Sequence, residues 1–208
     1  MTTLLHISAS PRGKASEGLA IAETFLDTYR ASHPDHQVET FDLWDGTLPV
    51  FGPDAAEAEM TVFAGQELSS AAAEAWESVK RTFERFAAPD AYLFSVPMWN
   101  SGVPYVLKQF IDVVTQPGLA FGFDPQHGYT GLVTGKKAAV VYTGAVYGPG
   151  RPPSFGQDFQ KPFFNSWLRM CGITDITEIE FRPNMVTADA EQQRKQAHQD
   201  AVQAAENF

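Results

Sequence analysis

The residues of this chain best suited to chemistry fall in two loops, each directly after a short apolar run. In one, Pro97, Met98, Trp99 and Asn100 follow Ala91 to Val96 (AYLFSV) and precede a helical pattern starting near Gly102. Such a loop offers a flat conjugated ring an aromatic side, backbone polar groups and an amide. Pro, Asn and Gly also serve ordinary turns for local reasons, so this loop gains weight from its companion. The companion follows Thr3 to Ile7 (TLLHI) and reads SASPRGKASEG. Ser16 stands where a helix N-cap belongs, with Glu17 in the first turn. A helix N-terminus presents unpaired N–H groups and the positive end of a dipole, and so receives phosphate. Ser10 and Ser16 add hydroxyl donors, and Arg12 and Lys14 add positive charge. The G-x-x-x-x-G-K-[ST] spacing and the G-x-G-x-x-G fingerprint are both absent.

These loops need a scaffold that brings them together, and the hydrophobic pattern supplies one. Thr3 to Ile7 reads as a strand, followed by a helix from about Ser16 to Ala31 with Leu19, Ala22, Phe25, Leu26 and Tyr29 on one stripe. Gln37 to Asp42 alternates as a second strand. A polar, Pro-containing connection follows (LWDGTLPVFGPDAAEAEM), then a helix from Gly65 to Ala87. Ala91 to Val96 is the third strand, with a helix from Gly102 to Val114. Lys137 to Thr143 is the fourth strand, with a helix from Gln157 to Cys171. Ile173 to Arg182 is the fifth, and Thr187 to Asn207 a polar closing helix. Alternating strands and helices predict an α/β parallel sheet covered on both faces. Five strands suit a flavodoxin-like doubly wound sheet of order 2-1-3-4-5, in one domain spanning residues 1–208. Ligands of such sheets bind beyond the carboxyl ends of the strands where the order reverses, here between strands one and three. The two loops meet there, which points to a flat cofactor carrying a phosphate, with FMN the best match. In the long segment from Thr115 to Lys137, Leu119, Phe121 and Phe123 alternate, predicting a hairpin or a cover over the cofactor.

Composition narrows the partners. A net charge of −10 disfavours nucleic acid and anionic membranes. The single cysteine, Cys171, excludes an internal disulfide and a multi-cysteine metal site. No apolar run approaches transmembrane length, and no secretory leader pattern is present, so the expected setting is the cytoplasm. The histidines lack metal-ligand spacing. His6, inside the first strand, reads as structural, and His127 as a surface-loop residue.

With these loops in place, the chain resembles the FMN-dependent NADH-azoreductases, also called FMN-dependent NADH:quinone oxidoreductases. The resemblance rests on the SxS loop, Leu48-Pro49-Val50, PMWN with its helix, GLVTGKKA at Gly131 to Ala138, and GITD at Gly172 to Asp175. It implies a homodimer with one FMN per subunit, NADH or NADPH as donor, and quinones and azo compounds as acceptors. It implies that Ser10 and the Ser16-Glu17-Gly18 turn hold the phosphate. It places Pro97, Met98, Trp99, Asn100 and Ser101 beside the flavin ring, and Phe121, Phe123 and Trp167 in the substrate pocket. The family's loop after the fourth strand falls on Thr143, Gly144, Ala145 and Val146, where this chain departs from the family's Ser-Arg-Gly-Gly type of pattern.

The chemistry so implied is carried by the flavin, with no catalytic side chain. NAD(P)H delivers hydride to the ring, leaves, and is replaced by the acceptor in the same place, a ping-pong scheme. A flavodoxin-type one-electron carrier and a non-catalytic interaction protein of the same fold are the competing classes. The wide apolar coverage of the helix after PMWN predicts burial against both the sheet and a partner subunit.

Overall fold

A computed structural model of the chain describes residues 2–148, 150–183 and 189–208. Its strands are β1 (Thr3–Ser8), β2 (Gln37–Asp42), β3 (Ala91–Pro97), β4 (Phe121–Asp124), β5 (Gly128–Gly131), β6 (Lys137–Thr143) and β7 (Asp175–Phe181). Its helices are α1 (Glu17–Ser32), α2 (Pro53–Phe63), α3 (Ser70–Ala87), α4 (Tyr105–Val114), α5 (Gln160–Cys171) and α6 (Ala190–Glu206). One sheet has the order β2-β1-β3-β6-β7, all neighbours parallel. This is the expected 2-1-3-4-5 order once the separate β4–β5 hairpin is left out of the count.

Parallel strands covered on both faces read as continuous apolar runs, and Ala91 to Val96 is buried throughout. The pleat divides each run between two cores. Leu5, Ile7, Tyr92, Phe94, Val140 and Tyr142 face α2, α3, α4 and α5. Leu4, Leu93, Ala139 and Val141 face α1 and α6. The buried residues of the largely polar α6 are Ala197, Ala201 and Ala205, a stripe of small side chains that lets it lie close on α1.

Several expected boundaries move, each for a local reason. The helix expected from Gly65 to Ala87 begins at Ser70, capped by the Ser69 hydroxyl. A separate helix, α2, occupies part of what the sequence suggested was connection. Gly52 and Pro53, at N-cap and first-turn positions, are the signal that marks it. The helix expected from Gly102 begins at Tyr105, because a proline at 104 drives Val103 out of helical backbone. The helix expected from Gln157 begins at Gln160. The last strand spans Asp175–Phe181 rather than Ile173 to Arg182, so Arg182 falls in the site loop. The expected start of the closing helix at Thr187 and Ala188 lies outside the described residues, and its described part begins at Ala190.

The hairpin forms as the Leu119, Phe121, Phe123 alternation suggested. It is pinned to the end of α5. A Cβ at Gly131 would sit 2.2 Å from the nitrogen of Gly172, the left-handed residue that ends α5. Only glycine permits that approach.

Candidate functional site

The carboxyl ends of β1, β3 and β6 deliver three loops to one concavity of about 260 Å³. Ser10, Ser16, Glu17 and Gly18 come from the first loop, Pro97, Met98 and Trp99 from the second, and Thr143, Gly144 and Ala145 from the third. Arg12, Phe181, Pro183 and Arg194 complete its wall.

At the first loop a single 3₁₀ turn, Gly13–Ala15, leads into α1. Ser10 and Ser16 are only 5% and 7% exposed. Ser10 Oγ donates to Ser16 Oγ at 2.9 Å, and Ser16 Oγ also accepts from the backbone N–H of Leu19. Ser16 thus caps its helix, as expected, while its own hydroxyl hydrogen stays available to an anion. Gly18 lies against the third loop. A Cβ there would stand 3.3 Å from Thr143 Cγ2 and 3.4 Å from Thr143 Oγ1, so a side chain would push Thr143 aside. Glu17 is gripped from the far end of the chain. Arg194 Nε and Nη2 both bond its carboxylate, the nearest contact being 2.8 Å. Those bonds hold the Glu17 carboxyl below the usual carboxylate range.

The second loop is a tight turn. Trp99 and Gly102 exchange both backbone hydrogen bonds, each 2.9 Å. The two residues between them take left-handed backbone, Asn100 at φ 48° and Ser101 at φ 68°. That is the type I′ pattern, unusual for a serine. Trp99 stands within an aromatic cluster with Trp44 and Tyr105, and Trp44 Nε1 donates to the Ala9 carbonyl of the first loop.

The third loop is tied to the second and to a buried brace. Met98 N–H donates to Thr143 O at 2.7 Å, and Gly144 N–H to Phe181 O at 3.1 Å. Behind them Gln160 Nε2 donates to Val96 O at 2.7 Å. Gln160 Oε1 accepts from Arg182 Nη2, and Arg182 Nη1 pairs with Asp158 at 2.8 Å. Arg182 Nε lies 3.2 Å from Glu180 without hydrogen-bond geometry. A charge buried this deeply persists because it is paired and bonded, so the brace is rigid. Ala145 N–H has no partner among the described residues, whereas that of Gly144 is taken.

Not every expected residue reaches this concavity. Asn100 faces a neighbouring cavity of about 720 Å³ beside α4, which Trp99 also lines. Ser101 holds the loop to α5 through its carbonyl, which accepts from Phe159 N–H. Val146 is exposed, and its carbonyl accepts from Arg151. Phe121 and Trp167 border a third cavity, of about 730 Å³, between α4, α5 and the hairpin, and Phe123 and Phe121 border an adjoining one of about 430 Å³. Trp167 is a core residue in addition. It is 4% exposed, packs on Phe86, Phe94 and Phe164, and bonds Thr115 Oγ1 through Nε1. His127 stays on the surface, paired with Asp124. Sequence reasoning missed Arg194, Phe181, Gln160 and Arg182, whose partners lie far away in the chain.

Residues 2–205 match the family described as flavodoxin-like fold. An FMN-dependent NADH:quinone oxidoreductase of Ruegeria pomeroyi is 44% identical over 189 residues, covering 91% of this chain and 93% of that one. A protein of the same name from Nitratidesulfovibrio vulgaris strain DP4 is 40% identical, covering 95% and 94%. Among solved structures, an azoreductase from Bacillus anthracis strain Sterne superposes over both full lengths with a TM-score of 0.90 at 26% identity. Three strand-end loops around one concavity, and relatives this similar along almost the whole chain, place the protein in the flavodoxin-like family of FMN-dependent NADH:quinone oxidoreductases.

Proposed function

We propose that this chain is an FMN-dependent oxidoreductase that draws reducing equivalents from NADH and passes them to quinones and aromatic azo compounds, in a ping-pong cycle. A single domain spanning the chain forms each subunit of a homodimer, and cytoplasmic residence is part of the reading, in keeping with one unpaired cysteine. The observation that carries the proposal is the convergence of the loops after β1, β3 and β6 on one concavity. The relatives' names supply NADH and quinone, and the azoreductase neighbour supplies the azo acceptor.

The residues present suit FMN. Ser10, Ser16 and the start of α1 offer hydroxyl and N–H donors at one end of the concavity, the requirement for a phosphate. The absence of a side chain at Gly18 keeps that end open against Thr143. At the other end, Met98 and Trp99 provide an apolar wall for a ring, with the Ala145 N–H as a donor. Bound FMN supplies reversible two-electron chemistry, while the protein orients it and excludes water. The Gln160 brace ties down the backbone behind Pro97, and ring contacts with Trp44 and Tyr105 hold Trp99 in place.

The purified protein should take up FMN in preference to FAD. Anaerobic NADH should then bleach the flavin completely, and a quinone should restore its colour. Parallel double-reciprocal lines at varied NADH and quinone would accompany the ping-pong order. Failure to bind FMN at micromolar concentration would overturn the proposal. Reduction that stops at the one-electron level would favour a carrier instead.

A further inference from the structure

A carboxylate in the wall of an anion-binding concavity is unfavourable. Glu17 is such a group: it lines the concavity with Ser10, Ser16 and Gly18, at the helix end that would receive a phosphate. The N-terminal field of α1 favours negative charge there, and a carboxylate already occupies it. An approaching phosphate would meet like charge, and like charges at close range repel strongly where water is partly excluded.

The structure holds an answer in α6. Arg194 spans the 177 positions back to Glu17 and bonds it through Nε at 3.1 and 3.2 Å and Nη2 at 2.8 Å. Its third nitrogen, Nη1, bonds Glu191 at 2.6 Å. The guanidinium also lies over the Phe181 ring, 5.5 Å from its centroid. All three nitrogens are engaged, which orients Arg194 beside Glu17. Arg194 itself lines the concavity. Arg12 is the other cation of the wall, and no ion pair joins it to Glu17 among the described residues.

We propose that Arg194 sets the preference for a phosphorylated flavin by neutralising Glu17, so that the α1–α6 clamp is a specificity device of the cofactor site. This rests on the FMN reading above. Arg194 is a positioning and charge-compensating residue in the role proposed; it takes no part in hydride transfer. Without its cation, Glu17 would keep only the weaker, unbonded influence of Arg12 and His198 against the phosphate. FMN binding would weaken, and riboflavin, which has the ring but lacks the phosphate, would be almost unaffected. Since both partners are partly exposed, added salt should soften the loss.

The test measures FMN and riboflavin dissociation constants by flavin fluorescence quenching. It compares the full-length protein with Arg194→Met, Arg194→Lys and the double variant Glu17→Gln/Arg194→Met. Arg194→Met should weaken FMN roughly three- to fivefold at low salt, as expected for a partly exposed charge contact, and leave riboflavin within about twofold. Arg194→Lys should retain most of the FMN preference. The double variant should recover it, because it removes the carboxylate that needed compensation. Equal weakening of both flavins in Arg194→Met, with a lowered melting temperature, would mean that the clamp only holds α6 in place and would overturn the proposal. So would a double variant as weak as the single one. If the unaltered protein bound neither flavin, the cofactor reading itself would fall, an outcome distinct from these.

Discussion

His6 is a titratable group placed where titration is costly. It lies in the middle of β1, 6% exposed, with Nε2 2.8 Å from the Ser95 hydroxyl on the neighbouring strand. Burial first, and the charge of Arg30 second, push its pKa from 6.5 down to about 4. The unfolded chain therefore takes up the His6 proton before the folded one does. The stability tied to neutral His6 is complete above pH 6.5 and is lost as the pH falls towards 4, by up to about 3 kcal/mol. Urea unfolding of the protein and of His6→Gln should diverge at neutral pH and converge as acid is added, since the variant has no proton to gain there. Parallel pH dependences would show that His6 does not carry the effect. His6 was legible as structural because a lone histidine in an apolar strand has few other roles. Ser16 was legible because capping is a local pattern. Arg194 and Gln160 were not, because their partners lie 177 and 64 positions away and no local pattern joins them.

Among the elements, the turn after β3 carries the clearest local strain. Two consecutive residues other than glycine hold positive φ there. Asparagine tolerates that region, but serine does so poorly. Ser101→Gly should raise stability by about 0.5–1 kcal/mol in thermal or urea unfolding, the relief of strain being partly offset by glycine's entropy. Asn100→Val should lower it by about 2 kcal/mol or more, because a β-branched residue is expelled from left-handed backbone. A stability loss in Ser101→Gly would show that the Ser101 side chain contributes more than the strain costs. The proline-bounded loop was legible from PMWN, but its turn type was not: the usual Asn-Gly signal is Asn-Ser here. α2 went unread although Gly52 and Pro53 announced it, because its apolar face consists largely of alanines, Ala55 and Ala58, which give a weak periodic signal.

For the whole molecule, the wide apolar face of α4 turns out to be consumed internally. Val106, Leu107, Phe110, Ile111, Val113 and Val114 are all buried within one chain, against α3, α5 and the sheet. What remains bare lies around that helix and at its first residue. Met60 and Phe63 of α2, Phe123 and Tyr129 of the hairpin, Val50 and Tyr105 are more than half exposed. All but Met60 border the cavities of about 730, 430 and 720 Å³. Clustered exposed apolar residues are a feature of interfaces, and in the homodimer proposed above a two-fold copy would cover them with the same surface. Sedimentation should therefore give twice the 22.9 kDa chain mass. Phe63→Arg combined with Phe123→Arg should shift the protein towards monomer and raise the acceptor KM, with FMN affinity changed far less. A wild-type monomer at full activity would refute the proposed homodimer as the active unit.

The clamp between Glu17 and Arg194 also imposes an order on biosynthesis. α1 is made before α6, and its inner face, with Ile21, Ala22 and Phe25, packs on α6. A nascent chain that has displayed all three strand-end loops still lacks the cation that compensates Glu17. If the clamp acts as proposed, selective loading with the phosphorylated flavin waits until α6 has been made and docked, and stalled or shortened chains that end before α6 would discriminate poorly between FMN and riboflavin.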